Sequence, residues 1–337
     1  MTRRNGWHIL LLAATIACGI LIAACSAGST PAPALEPITL QLDWTHSAQF
    51  AGFYVADTKG YYADQGLTVS FRERPASRTE QAALQKRVAR GEVDFGLAGV
   101  ALLNAQVDGS PLVALAAILQ VNPQVFIARA DSGINGPQDF AGRRLGIKNE
   151  AWGQVFTRTL RNVGLSISDT IPVPVGYDMQ PFYDGAVDVW PGYVTDEPVR
   201  ARHHGLAISL FFPYDYGVGG YGEIIYTSRD MVVQRPDLVE RFLRASLQGW
   251  QDTLEHPNDA VDILVTHYAQ AGDREFEQQA VHALLPLVYT GEYPLGWITP
   301  EGWAATYQGD SQAVSPALRE TGLDTRFLTR IVEESVP

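Results

Sequence analysis

The stretch that most constrains the fold is residues 38–67, ITLQLDWTHSAQFAGFYVADTKGYYADQGL. It opens on strict alternation, with Ile38, Leu40 and Leu42 on one face and Thr39, Gln41 and Asp43 on the other. That is the pattern of a strand burying one face. The strand runs out into a carboxylate and a large aromatic, Asp43 and Trp44. Ligands of open α/β sheets gather at the carboxyl ends of their strands. Phe50, Ala51 or Val55, Phe53 and Tyr54 then recur at helical spacing. Lys59-Gly60 closes the helix with a cation and a residue free to take the left-handed conformation. A second strand is expected over 68–73.

At 337 residues the chain is long enough for two domains with cores of their own, and 46% apolar with 18% charged residues are globular values. A net charge of −12 argues against nucleic acid, which needs clustered Lys and Arg, and is read as solubility. Residues 1–24 form a signal peptide: Arg3 and Arg4 precede an apolar run over 9–24, shorter than the ~20 residues of a spanning helix. Leu21-Ile22-Ala23-Ala24-Cys25 matches a bacterial lipobox, which makes Cys25 the expected lipidation point. A diacylglycerol anchor there would hold the protein on the extracytoplasmic face of the cell membrane. The only other cysteine is Cys18, inside the apolar run, so a processed chain has no disulfide, Cys nucleophile or thiolate metal site. Residues 25–37 carry the lipidated end and a small-residue, proline-containing tether that cannot bury a core.

Beyond the opening unit the spacing predicts a helix over 77–90, a strand over 93–97 and a helix beginning after Gly99. A glycine there either lets backbone N–H groups approach a ligand or permits tight packing. Strands follow over 112–119, apolar throughout, and 125–129. A loop-rich segment over 133–146 marks a boundary. The rhythm then repeats: strand from 145, helix 154–163, strand 171–175, helix 179–183, strand 187–190, helix 196–203, strand 206–210. The segment 222–227 crosses back, and helices are expected over 236–254, 258–269, 274–285 and 323–332. Strands alternating with helices, with one excursion, imply an α/β chain of two lobes, 38–127 with 224–337 and 128–223. The two crossovers are expected near 125–129 and 223–227.

The chemistry-bearing candidates are aromatic, amide and carboxylate groups. Trp44, Tyr54, Trp152, Trp190, Tyr193, Tyr216 and Tyr221 could stack a flat heteroaromatic ring, worth ~1–3 kcal/mol per stacked face. Asp43, Gln120, Asn122, Asn149 and Glu223 could read its N–H and C=O edges. Asp196 and Glu197 fall in the first turn of a helix, where a carboxylate also satisfies the helix dipole. The glycine-and-tyrosine loop over 215–223 is either a hinge or a binding loop. His46, His203 and His204 have no third ligand at useful spacing, so no metal is expected; His203-His204 before Gly205 suits a helix end. No phosphate-binding loop and no Ser–His–Asp set stand out. No cofactor and no catalytic residue are expected.

A strand ending in Asp43-Trp44, a helix with Gly52-Phe53-Tyr54-Val55-Ala56, then Lys59-Gly60-Tyr61-Tyr62 and Gly66-Leu67 resembles the opening of ABC-importer solute-binding proteins. The branch is that of the nitrate, sulfonate and thiamine-precursor binders. The resemblance runs from Ile38 almost to the C-terminus. It implies a two-lobed periplasmic-binding-protein fold of the type II kind with a helical C-terminal region, capture without turnover, and an ABC permease with its ATPase as partners. The pyrimidine binders and the related pyrimidine synthase continue Asp-Trp-Thr-Pro-Asn, with a His shortly before the helix glycine. Here His46-Ser47 replaces Pro-Asn, and Phe50 precedes Ala51-Gly52. The cysteine cluster of the synthase is missing, which argues against that enzyme. Residues 46–54 are more similar to a sister group of lipoproteins associated with riboflavin uptake, as are 190–198. Riboflavin is therefore the first expected ligand and a thiamine-type pyrimidine the second. Nitrate and sulfonate come third, because Lys148 is the only cation expected in the candidate loops.

Overall fold

The computed structural model describes residues 34–81, 83–268, 273–307 and 313–335. The signal segment, Cys25 and tether residues 26–33 lie outside them. Strand β1 (Glu36–Gln41) buries Ile38 and Leu40, as its alternation requires. A short 3-10 turn, Ala48–Phe50, leads into helix α1 (Ala51–Thr58), and strand β2 (Leu67–Arg72) lies parallel to β1. Gly60 takes φ 83° between them. The flanking Lys59 and Tyr61 both bond Asp252, and the Tyr62 hydroxyl meets Ser246 Oγ at 3.0 Å. The Lys-Gly-Tyr-Tyr turn is thus a clamp onto helix α5 (Pro236–Glu255). Glycine lets α1 and α5 touch backbone to backbone: a Cβ at Gly249 would stand 2.1 Å from the Gly52 carbonyl oxygen.

The chain continues through β3 (Phe95–Ala98), α2 (Val100–Val107), β4 (Leu112–Leu119) and β5 (Gln124–Arg129). Next come β6 (Arg144–Ile147), α3 (Glu150–Asn162), β7 (Ile171–Pro174), β8 (Val189–Tyr193), α4 (Glu197–His203) and β9 (Ile208–Phe211). Strand β10 (Glu223–Ser228) precedes α5, and α6 (Arg274–Val288) and α7 (Arg326–Ser335) are the longer helices after it. Among the described residues two five-stranded sheets result, ordered β2-β1-β3-β10-β4 and β7-β6-β8-β5-β9. In each, the strand that arrives by a crossover, β10 or β5, is antiparallel to both neighbours. The architecture is α/β and two-lobed, with two crossovers and a helical C-terminal region. Among the described residues no helix is long and apolar enough to cross a membrane.

Several expectations need adjusting. The boundary expected at 127/128 falls inside β5, which pairs with β8 and β9 of the second sheet. The chain crosses earlier, at 120–123, and returns through 212–222 rather than within 223–227. The two crossings touch where Gly222 leaves no room for a side chain: a Cβ there would stand 2.3 Å from Pro123 Cδ. Gly99 serves packing, since its own Cβ would lie 2.7 Å from the Gly222 carbonyl. The helix expected over 77–90 is two pieces, Arg78–Gln81 and Leu84–Ala89. The one expected over 258–269 is Pro257–Ile263 followed by a π-turn, Leu264–Tyr268. Strand β4 is buried along its whole length, as its composition predicts.

Candidate ligand-binding site

The cleft has an acidic floor on the first lobe. After β1 the chain doubles back through 43–47, so that Asp43 meets Gln49 of the 3-10 turn, while β10 delivers Glu223 beside them. Gln49 Nε2 donates to Asp43 Oδ1 at 3.1 Å and to Glu223 Oε2 at 2.7 Å. Glu223 is fully buried, and its Oε1 has no hydrogen-bond partner among the described residues. Burial, then the charge of Asp43, pushes the Glu223 carboxyl well above the usual carboxylate range. Burial also lifts Asp43 to about 6, against the pull of Arg74 and Gln49.

Aromatic groups of both lobes stand over this floor. The Arg74 guanidinium lies 3.8 Å from the ring centroid of Trp44, and Trp44 faces Tyr177 of the second lobe at 6.3 Å. Trp44 and Tyr177 are 37% and 59% exposed, with Arg74 covering one face of Trp44. In the second lobe Lys148, just past β6, pairs with Glu197 in the first turn of α4, their side chains only 2% and 8% exposed. Glu197 Oε2 also accepts the Tyr193 N–H at 2.8 Å. Gly192 permits that tuck, since a Cβ there would stand 2.6 Å from the Glu197 carboxylate. Lys148 Nζ lies 5.4–5.9 Å from the rings of Trp190, Tyr177 and Trp152, within cation–π range. Trp152 meets Tyr193 edge-on at 5.9 Å. The phenol of Tyr193 is held above its ordinary pKa by desolvation, then by the charges of Asp43 and Glu197, which sets it opposite the acidic floor.

Of the twelve residues singled out from sequence, Asp43, Trp44, Trp152, Tyr193 and Glu223 converge here. Trp190 backs Lys148 but is fully buried in mid-strand opposite Ile127, because β8 runs on to Tyr193. The others do structural work. Tyr54 is fully buried, stacked on Tyr268 at 3.9 Å with its hydroxyl 2.7 Å from His46 Nδ1. Gln120 clamps the loop past α6 through Pro294 O at 2.9 Å and Thr290 Oγ1 at 3.1 Å. Asn122 Oδ1 accepts the Gln124 N–H within the first crossing. Asn149 caps α3 by accepting the Trp152 N–H at 3.1 Å. Tyr216 packs at the other end of that helix, where its carbonyl accepts from Asn162, ~20 Å along the axis from the cap. Tyr221 turns into the first lobe, its hydroxyl taking the Thr299 N–H at 2.8 Å. Glu197 lies in the first turn of α4, as its position predicts, and its carboxylate also bonds Lys148 and the Tyr193 N–H.

Three members of the constellation escaped the sequence reading as cleft residues: Gln49, Arg74 and Tyr177. Arg74 corrects the expectation of a cleft with Lys148 as its only cation. The strand-end rule applied to β2 and β7 points at residues 74 and 177, which lie just beyond those strands. Gln49 gave no such signal, because only the fold brings it against a strand from residue 223. Among the described residues no group of His, Cys, Asp and Glu is arranged to hold a metal ion.

Residues 47–260 match the model of the family described as NMT1/THI5 like. The chain belongs to this family. It is 30% identical over 311 residues to the riboflavin-binding protein RibY of Chloroflexus aurantiacus, covering 85% of this chain and 88% of that one. It is 27% identical over 280 residues to the formylaminopyrimidine-binding protein of Halalkalibacterium halodurans, covering 80% and 83%. Among solved structures it resembles a putative periplasmic sulfonate-binding protein, SsuA, of Methylobacillus flagellatus, with a TM-score of 0.66 at 14% identity over 90% of this chain and 96% of that one. The NMT1/THI5-like chain thus has the fold of the periplasmic solute-binding proteins of ABC importers.

Proposed function

We propose that the protein is an extracytoplasmic solute-binding protein of an ABC importer that captures riboflavin and hands it to a membrane permease driven by an ATPase. The observation that carries this reading is the convergence of Trp44 and Tyr177, from opposite lobes, over a floor of hydrogen-bonding acids. An isoalloxazine ring has a broad π-face and an imide edge with one N–H between two carbonyls. The rings supply stacking area, and the Asp43–Gln49–Glu223 group supplies partners for that edge. Similarity to a protein named as a riboflavin binder supports the same ligand. Arg74 on Trp44 does not turn the cleft into an oxyanion site, because Asp43 is its near neighbour and Glu197 neutralises Lys148.

A thiamine-type pyrimidine is the second reading, favoured by the compact acid–amide floor, which suits an aminopyrimidine edge, and by the formylaminopyrimidine-binding relative. The protein acts by stoichiometric capture, and the lobes close by rotation about the paired crossings at 120–123 and 212–222. Cys25 carries the lipid anchor. Calorimetry with riboflavin and with formylaminopyrimidine decides between the ligands. Saturable one-to-one heat with micromolar riboflavin is expected; heat with the pyrimidine alone moves the assignment to the second reading.

A further inference from the structure

The floor of the cleft presents a problem of hydrogen-bond accounting. Two carboxylates, Asp43 and Glu223, share one amide, since Gln49 spends its N–H groups on Asp43 Oδ1 and Glu223 Oε2. Glu223 Oε1 remains buried without a partner among the described residues. A buried ionised oxygen with no donor is costly, whereas a protonated one becomes a donor in search of an acceptor. The surroundings favour the second state. The strands flanking β10 place apolar Ala98 and Leu119 beside its start. Tyr54 of α1 lies near Glu223, and Tyr226 of β10 and Tyr193 of the second lobe near Asp43; each is a neutral phenol. Arg74 acts on Asp43 and Tyr193, while the charge acting on Glu223 is that of Asp43.

We infer that Asp43 and Glu223 hold a single proton between them, carried on Glu223, and that this acid–carboxylate pair selects ligands presenting an N–H beside a hydrogen-bond acceptor. In this arrangement the Asp43 carboxylate takes the ligand N–H and the Glu223 O–H is given to the neighbouring carbonyl or ring nitrogen. The inference rests on the reading of the cleft as a capture site for a flat ring, and it specifies which edge that ring must show. An oxyanion offers only acceptors and adds charge, so it finds no donor–acceptor match here. With Glu223 neutral, Arg74 and Lys148 are balanced by Asp43 and Glu197, which leaves no excess positive charge for an anion.

The test combines infrared difference spectroscopy with affinity measured against pH, using riboflavin, formylaminopyrimidine and methanesulfonate as probes. At pH 7 the wild type should show a protonated-carboxyl C=O band that disappears in Glu223→Gln and survives in Asp43→Asn. Affinity for the bound heterocycle should be greatest near neutrality. It should fall up to tenfold per pH unit below about 6, as Asp43 takes a proton, and again on the alkaline side as Glu223 loses one. Glu223→Gln should lose only the alkaline limb and Asp43→Asn only the acid limb, whereas a merely structural role would lower affinity equally at every pH. Absence of the band in the wild type overturns the inference whatever the ligand, as does micromolar binding of methanesulfonate. A pH-independent affinity overturns the reading role. Binding of the pyrimidine alone, with both limbs present, removes the flavin assignment and upholds the acid pair. If neither heterocycle binds, both fall.

Discussion

The two lobes are built to different standards. The first packs around one continuous cluster running from Ile38 to Ile331, with Phe50, Phe53, Phe95, Phe242, Trp250 and Trp303 at its centre. The sheet of the second separates two smaller clusters, one around Phe126, Phe140 and Phe156, the other around Ile127, Phe182 and Trp190. The latter is completed by Leu287, with Ala283 packed against it, both from α6 after the return to the first lobe. With ~1.5–3 kcal/mol for each large side chain fully buried, the first lobe holds the greater reserve of stability. The cleft charges divide the other way. The second lobe neutralises its buried carboxylate with Lys148, whereas the first leaves Asp43 and Glu223 against each other with only one amide between them. The difference teaches that a rigid lobe can hold an unfavourable floor in place, while a lighter lobe has to balance its charges internally.

The largest test of that contrast is Lys148→Met. It strands Glu197 in a nearly dry site, and breaking a buried pair by removing one partner costs ~3–5 kcal/mol. Hydrogen exchange should show the loss in β6, β8 and α4, with β1, β10 and α5 protected as before. A uniform loss across both lobes would erase the distinction. Next is Gly249→Ala, which drives a methyl group into the Gly52 carbonyl and should cost roughly 1–3 kcal/mol by overpacking in thermal unfolding. Gly146→Ala in the second lobe meets its nearest neighbour only at 3.3 Å and should cost less. Equal costs would argue that the first lobe is no more tightly packed.

The smallest effect concerns the floor. The Asp43 carboxyl has a folded-state pKa of about 6 against an ordinary 3.8, so the folded state holds the proton more tightly. Its contribution therefore favours folding at low pH and is lost as pH rises from about 4 through 6. Asp43→Asn should then stabilise the ligand-free protein by about 1–3 kcal/mol at pH 7 and leave it unchanged near pH 4, read by denaturant unfolding. A destabilised variant at pH 7 would mean that the ionised carboxylate holds the lobe together.

Most of the fold was legible because its signals are local. Alternation marked β1, the Gly60 turn marked the end of α1, and unbroken apolar sequence marked β4. The second sheet was read strand by strand, yet the crossing point was misplaced, since nothing local tells a strand which sheet it will join. The candidate site was legible in part for the same reason. Asp43, Trp44 and Tyr193 lie at or just past strand ends, where the sequence pattern points. Tyr54, Gln120 and Tyr221 have the same chemistry but spend it on the core, the loop past α6 and Thr299. Gln49 and Glu223 are 174 residues apart, and their bond exists only because β10 returns between β3 and β4.

The central claim is that a flat flavin ring is held between aromatic side chains of the two lobes, and the emission of riboflavin reports on it directly. Excited flavin is quenched by electron-rich rings, so titrating riboflavin with the ligand-free protein should give saturable one-to-one loss of most of its fluorescence. Trp44→Ala should weaken the interaction by ~1–3 kcal/mol. Unchanged fluorescence at micromolar protein, or quenching that Trp44→Ala leaves intact, would contradict the account.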